Sequence, residues 1–401
     1  MRSNHLGLRP FLACICAFAF MPLCHAEATD AAYIEEFLKK CPKVEQPPSL
    51  ESYATPAEYD ARFLGKNLEP ALKKVSNNVG GIAWGLAYRM MSLNEMHRVT
   101  DDVKYLAANL KCLRAVAAVR DDKQGIKLWT GAVAPAWSSD KYAERGRAVF
   151  AVHTGMITYP MLDCLLLVSE HADLRASLGV EYDSLLTTAR EALAYHDRQW
   201  RDGPAPEEGH YIGMEQENVL ENKPLPGNRL SAMGNALWAS WKITGNSTHQ
   251  DRALAIGRYI KNRLGLAPDG AYYWSYWLPN EPLSGPLSEK PTSGEDSSHG
   301  ALTASFPLLL AREGKVFDEE DVRRFAKTVL NGVARLGGGI ILGDVVGSPG
   351  SKPDYAGAPA KWLEAAHAIP EVRDRIVAFY LNYCPSPSPF EMALLIRHGR
   401  P

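Results

Sequence analysis

One pattern recurs along this chain: a helix-length run that is apolar on nearly every side, followed by one that is apolar along a single stripe. Ile82 to Met96 (IAWGLAYRMMSLNEM) is the first run of the former kind, and Asp101 to Val119, with its acidic start, is the first of the latter. The same order returns at Val149–Ser169 with Ser184–Trp200, at Leu230–Ile243 with Gln250–Leu264, at Ala301–Arg312 with Glu319–Leu336, and more briefly at Ala360–Ala368 with Glu371–Tyr383. A last helix is expected at Pro389 to Arg397. A run that is apolar all round must be covered on all sides, and a striped one covers only one side of it. Repeated pairs satisfy both by curving into a ring with an inner and an outer layer. The expected fold is therefore all-α, an (α/α) toroid in the form of an incomplete barrel of about six helical hairpins.

The repeat is faint in sequence as well. Thr100 precedes Tyr105 by five positions in the turn of the first hairpin, and Thr244 precedes His249 by five in the third, with Ala108 and Ala253 further along. No β-rich stretch is long enough for a separate sandwich. Residues 56–401 are read as one toroid domain.

Residues 1–26 have the parts of a secretory signal: Arg2 and Arg9, an apolar core from Phe11 to Met21 too short to span a bilayer, and Cys24-His25-Ala26 as cleavage site. The mature chain is expected to begin near Glu27 and to be periplasmic or secreted. Residues 27–55, with Pro42, Pro47 and Pro48, read as an N-terminal arm lying on the surface. The whole chain carries 44 basic and 46 acidic residues, and loss of the leader removes two arginines and no acid. That balance argues against nucleic acid as a partner. No later apolar run reads as long enough to span a membrane, and the protein is expected to act as a monomer. Four cysteines remain after the leader, Cys41, Cys112, Cys164 and Cys384. They allow three disulfide connectivities if all are oxidised, although Cys164, within MLDCLLLV, reads as a buried free thiol. No His, Cys or Asp cluster has zinc spacing and no acidic run has calcium-loop spacing, so neither metal nor cofactor is expected.

Turns within hairpins are short, whereas the connections into the inner helices are long, about residues 121–147, 201–229, 265–298 and 337–358. In a toroid these long connections open on one rim, and long loops without regular structure usually carry function. The first delivers Trp137, Arg147 and His153: the arginine suits a carboxylate and the histidine a proton exchange, unless both are satisfied locally. The second brings Glu217 and then Asn228-Arg229, a carboxylate-binding corner or a helix cap. The third, GAYYWSYWLPNEPLSGPLSEKPTSGEDSSHG, mixes aromatic faces with wet polar groups, a combination that suits a sugar ring. If extended, it places Tyr272, Trp274 and Tyr276 on one side and Tyr273, Ser275 and Trp277 on the other. Its end, Glu295-Asp296-Ser297-Ser298-His299-Gly300, offers Asp296 as a cap and His299 on the first helical turn, where the helix dipole favours a neutral imidazole.

The hairpin pattern, the aromatic run Tyr272 to Trp277 and the Glu295–Gly300 helix start together resemble the polysaccharide lyases built on (α/α) toroids, especially those acting on alginate and glucuronan. The Asn-Asn-His-Ser-Tyr-Trp motif of one alginate lyase family is absent, and YYWSYW echoes only its end. The resemblance implies metal-free cleavage of an acidic, uronate-containing polysaccharide by β-elimination. That reaction needs a neutraliser for the carboxylate, a base for the α-proton and an acid for the departing oxygen. Carried onto these residues, Asn228 and Arg229 neutralise the carboxylate, His299 or His153 serves as base or neutraliser, and Tyr276 serves as base and acid with Tyr273 as its stand-in. Trp137, Arg147, Glu217, Tyr272, Tyr273, Trp274 and Glu295 are expected to bind substrate. Three other readings stay open. An inverting glycoside hydrolase would use Glu217 with Asp296 or Glu295, at a carboxyl separation of about 6.5–9.5 Å. A uronate epimerase and a non-catalytic glycan-binding protein are the others.

Overall fold

The structure is a computed structural model that describes residues 22–214, 221–348, 352–353 and 359–400. Six segments form its inner ring: Ala87–Thr100 (preceded by the π-helical turn Ile82–Leu86), Ala151–Ser169, Gly227–Thr244, Ser297–Arg312, the 3₁₀ segment Pro359–His367, and Pro389–His398. Each packs on the next, and the sixth packs on the first, so the ring closes. Val103–Ala118, Val180–Ala194, Ser247–Lys261, Glu319–Thr328 and Glu371–Tyr383 lie outside as the partners of the first five. Among the described residues, the sixth inner helix is covered on its outer side by an element from early in the chain, Pro56–Phe63. Its buried Tyr59 bonds Ser92 Oγ at 2.6 Å and meets the Tyr105 ring edge-on at 5.9 Å.

The inner helices are close because their sequences are small where they touch. A Cβ on Gly155 would stand 2.5 Å from the backbone of Ala232, so only glycine lets the second and third inner helices approach this far. The faint repeat also has a physical basis. Thr100 Oγ1 donates to Met96 O at 2.7 Å and Thr244 Oγ1 to Ser240 O at 2.6 Å, each closing the last turn of an inner helix. The next residue is left-handed in both hairpins, Asp101 at φ 56° and Gly245 at φ 71°. Asp102 and Asn246 then cap the outer helices, accepting from Lys104 N at 2.9 Å and Thr248 N at 3.0 Å.

Among the described residues strands are confined to loops, Trp200–Asp202 with Gly209–Tyr211 and Gly265–Leu266 with Tyr272–Tyr273, both antiparallel. Far-ultraviolet circular dichroism should therefore show a helical spectrum, and a β-dominated one would contradict the ring. Two expectations need correction. The supposed surface arm contains the helix Pro22–Lys40, whose Tyr33 and Phe37 are buried, with Phe37 against Phe379 and Tyr383. One apolar helix after the leader, Ala151–Ser169, is long and apolar enough to cross a membrane, but here it is an inner helix sealed within the ring. All four described cysteines are free thiols: Cys164 is buried as expected, Cys112 is buried too, and Cys41 and Cys384 are half-buried.

Candidate active site

The rim formed by the starts of the inner helices encloses a cleft of about 410 Å³. Tyr276, His299, His153, Asn228 and Arg229 all line it, together with Trp84, Tyr88, Tyr142, Ser298 and Lys361. Each comes from a different approach to the ring. His153 lies on the first turn of the second inner helix, Asn228 and Arg229 at the start of the third, Ser298 and His299 on the first turn of the fourth, and Lys361 in the fifth segment. Helix starts leave backbone N–H groups unpaired and carry the positive end of the helix dipole, so their convergence with Arg229 and Lys361 favours an anionic ligand. Among the described lining residues there is no carboxylate.

The two histidines are held in opposite tautomers. Asn77 donates from its amide nitrogen to His153 Nδ1 at 3.3 Å, and its amide oxygen accepts from Ala83 N at 3.2 Å, which fixes the direction of the amide. His153 Nδ1 is thus an acceptor, and the ring proton sits on Nε2. Burial, reinforced by the charge of Arg229, pushes the His153 pKa down to about 3, so this imidazole is a neutral donor. Trp84, Tyr142 and Phe150 surround it with rings at 5.5, 5.5 and 5.3 Å. His299 is the reverse case. Its Nδ1 lies 2.5 Å from Asp296 Oδ2, so Nδ1–H donates, and in the neutral ring Nε2 is the nitrogen with the lone pair. Asp296 also caps the helix, accepting from His299 N at 3.0 Å. Burial raises the Asp296 carboxyl pKa, but the bonds from His299 outweigh it and leave the group ionised below its ordinary value. The Tyr276 ring stands edge-on to His299 at 5.5 Å.

Asn228 is buried and its amide oxygen has no hydrogen-bond partner, an unsatisfied polar atom at the edge of the cleft. A second recess of about 1010 Å³ adjoins the cleft and shares Trp84, Tyr88, Ser298 and Lys361 with it. Lys40, Lys74 and Arg89 also line this recess. The cleft therefore continues past Trp84 and Lys361 into this recess.

The remaining expected contacts lie elsewhere. Tyr272, Tyr273, Trp274, Trp137 and Glu295 are at most 4% exposed and line no part of the cleft. Tyr272 donates to Asp321 at 2.5 Å, Tyr273 to Asp269 at 2.8 Å, and Trp137 Nε1 to Val116 O at 2.8 Å. Trp274 Nε1 and Thr303 Oγ1 both donate to Glu295 Oε2 at 2.6 Å, a buried brace between loop and helix. The alternation argument fails because the strand is only Tyr272–Tyr273 and the chain bends at Tyr276 and Trp277, which frees Tyr276 from the face of Tyr272. Arg147 is tied to Asp140 at 2.7 Å and Asn78 at 2.8 Å. Glu217 lies outside the described residues. The sequence reading missed Trp84 and Tyr88, whose spacing of four inside an apolar run reads as core, and Lys361, a lone cation at the start of an inner segment.

Buried ionisable groups predict the pH dependence of stability. Burial holds His153 near 3 and His196 and His210 near 4, so below the ordinary value of 6.5 the unfolded chain binds protons that the folded one refuses. Glu295 works the other way: burial raises it to about 8, so the folded chain keeps a proton that the unfolded one releases above 4.5. Each group contributes a slope of up to about 1.4 kcal/mol per pH unit. Below about pH 6.5 these three histidines, joined by His249 and His398, which burial also lowers, outnumber Glu295 and stability falls with acid; from about 7 to 8 the Glu295 contribution remains and stability falls with base. Urea melts should find the optimum between these limits, and a stability rising steadily from neutral pH to 4.5 would contradict the burial described.

No known protein-family profile matches the chain, and no curated protein matches it. Among solved structures it is similar to the alpha-1,6-mannanase GH76A of Salegentibacter sp. HEL1_6, with 12% identity and a TM-score of 0.49 over 93% of this chain and 97% of that one. It is similar to an inactive variant of that enzyme in complex with alpha-1,6-mannotetrose, with 12% identity and a TM-score of 0.47 over 78% and 87%. It is also similar to a D-mannose isomerase, with 11% identity and a TM-score of 0.44 over 95% and 97%.

Proposed function

We propose that this protein is an exported polysaccharide lyase that cleaves a uronate-containing polymer of the alginate or glucuronan type by β-elimination. The observation that carries this reading is the convergence of Tyr276, His299, His153, Asn228 and Arg229 on one cleft whose described lining holds two cations and no carboxylate. Arg229, the Asn228 amide and the His153 Nε2–H receive the C5 carboxylate and stabilise the charge that builds on it as the α-proton leaves. His299 Nε2, oriented by Asp296, takes the C5 proton. The electron pair left at C5 forms the C4–C5 double bond, the C4–O4 bond breaks, and the Tyr276 hydroxyl gives its proton to O4. The proton on His299 then restores the tyrosine, whose ring is adjacent. Base and acid on one side of the cleft suit a uronate whose H5 and O4 project on the same face. The recess that adjoins the cleft past Trp84 and Lys361 leaves room for further sugars of a polymer.

A second reading rests on Glu295 and Asp296, neighbouring carboxyls whose surroundings push them apart, one protonated near neutral pH and the other ionised. That division of states suits an inverting hydrolase. Against it, Glu295 faces Trp274 and Thr303 and lines no part of the cleft. Purified protein incubated with alginate, glucuronan, pectin and glycosaminoglycans separates the readings. A lyase produces the ultraviolet absorbance of an unsaturated uronate on at least one of them. New reducing ends without that absorbance would establish hydrolysis.

A further inference from the structure

At the opposite rim, where the short hairpin turns lie, His97 ends the first inner helix, Asp101 forms the turn after it and His171 follows the second inner helix. His97 Nε2 and His171 Nε2 are 3.1 Å apart, and with a carboxylate oxygen of Asp101 the three ligand atoms lie within 4.8 Å of one another. We infer that His97, His171 and Asp101 form a binding site for a divalent late first-row cation such as zinc, remote from the cleft and structural in role.

Three observations point the same way. Two nitrogens bound at about 2.0–2.1 Å to one tetrahedral ion stand about 3.3 Å apart, close to the separation of these two imidazoles before any ion is added. His97 Nδ1 lies 3.3 Å from the backbone carbonyl of Asp102, which can only accept, so the proton is on Nδ1 and the Nε2 lone pair faces His171. Such a carbonyl bond is how a ligating histidine is commonly oriented. Third, Asp101 takes a left-handed conformation at φ 56° in the place where the third hairpin uses Gly245 at φ 71°. A side chain is kept at a position that favours glycine, and its carboxylate is the third donor. Two imidazoles and one carboxylate select zinc-like ions over magnesium or calcium, with the exposed side of Asp101 leaving a fourth position to water. The bound ion would tie the ends of the first and second inner helices together. Sequence spacing misses the site because His171 is distant in the chain from the other two residues.

The test uses the full chain stripped with chelator. Added Co²⁺ should give the visible bands of a tetrahedral ion at one equivalent, displaced by Zn²⁺. Zn²⁺ at a hundred times its dissociation constant should raise the melting temperature by about 3 °C for a chain of this size, while Mg²⁺ should not. His171→Ala and Asp101→Ala, both at exposed or half-buried positions, should lose the bands and the shift, and His249→Ala should retain them. Catalytic turnover should not change with chelator. Absence of any Co²⁺ band or Zn²⁺ shift in the unaltered protein would overturn the inference, as would a full response in His171→Ala.

Discussion

Tyr276→Phe is expected to abolish turnover while leaving substrate affinity nearly unchanged. Phenylalanine keeps the ring that meets His299 and Trp277 edge-on, so the shape of the cleft survives. What it removes is the hydroxyl proposed to protonate the departing oxygen. A proton donor acts only in the transition state, so kcat should fall by about 10²–10⁴-fold with little change in KM. Tyr273→Phe is the contrasting variant. Its hydroxyl bonds Asp269 within the protein, so its loss should cost about 1 kcal/mol of stability and leave kcat intact. A Tyr276→Phe enzyme with near-normal kcat would remove the tyrosine from the mechanism.

His299→Ala should lose as much, and for a different reason. The alanine variant lacks the Nε2 lone pair proposed to take the C5 proton, so kcat should fall by about 10²–10⁴-fold. The cleft then has a hole beside Asp296 that free imidazole fits, and added imidazole should restore part of the rate. Asp296→Asn tests the orienting carboxylate. The amide no longer holds His299 in the Nδ1–H tautomer, so kcat should fall even though the helix cap partly survives. Should imidazole fail to rescue His299→Ala while Glu295→Gln is inactive, the two-carboxylate reading gains what elimination loses.

These variants also mark where the sequence was informative. Helix period and the contrast between all-round and one-sided apolar runs carried the toroid, because burial on every side leaves a composition that reads through without knowledge of contacts. Helix starts were equally legible: His153, Asn228, Arg229 and His299 were picked out as residues at the mouths of inner helices, and the structure brings all four to one cleft. The aromatic run misled, since five rings in six residues look alike until the local backbone is known. A strand of only two residues and the bend after it turn Tyr272, Tyr273 and Trp274 inward and leave Tyr276 at the cleft. Long-range pairings were invisible for the same reason. Nothing near His153 in sequence announces that Asn77 fixes its tautomer, and nothing near Asp101 announces His171. Trp84, Tyr88 and Lys361 were hidden differently, as ordinary residues of apolar segments whose exposure depends on where the ring opens.

The central claim is that the glycosidic bond is broken by proton abstraction and not by water. Digestion of the preferred uronate polymer in heavy-oxygen water, followed by mass spectrometry of the fragments, tests it directly. Elimination predicts fragments one water lighter than hydrolysis products, with an unsaturated non-reducing end and no heavy oxygen incorporated by the cleavage. Fragments that are saturated and carry one heavy oxygen per new reducing end would contradict it.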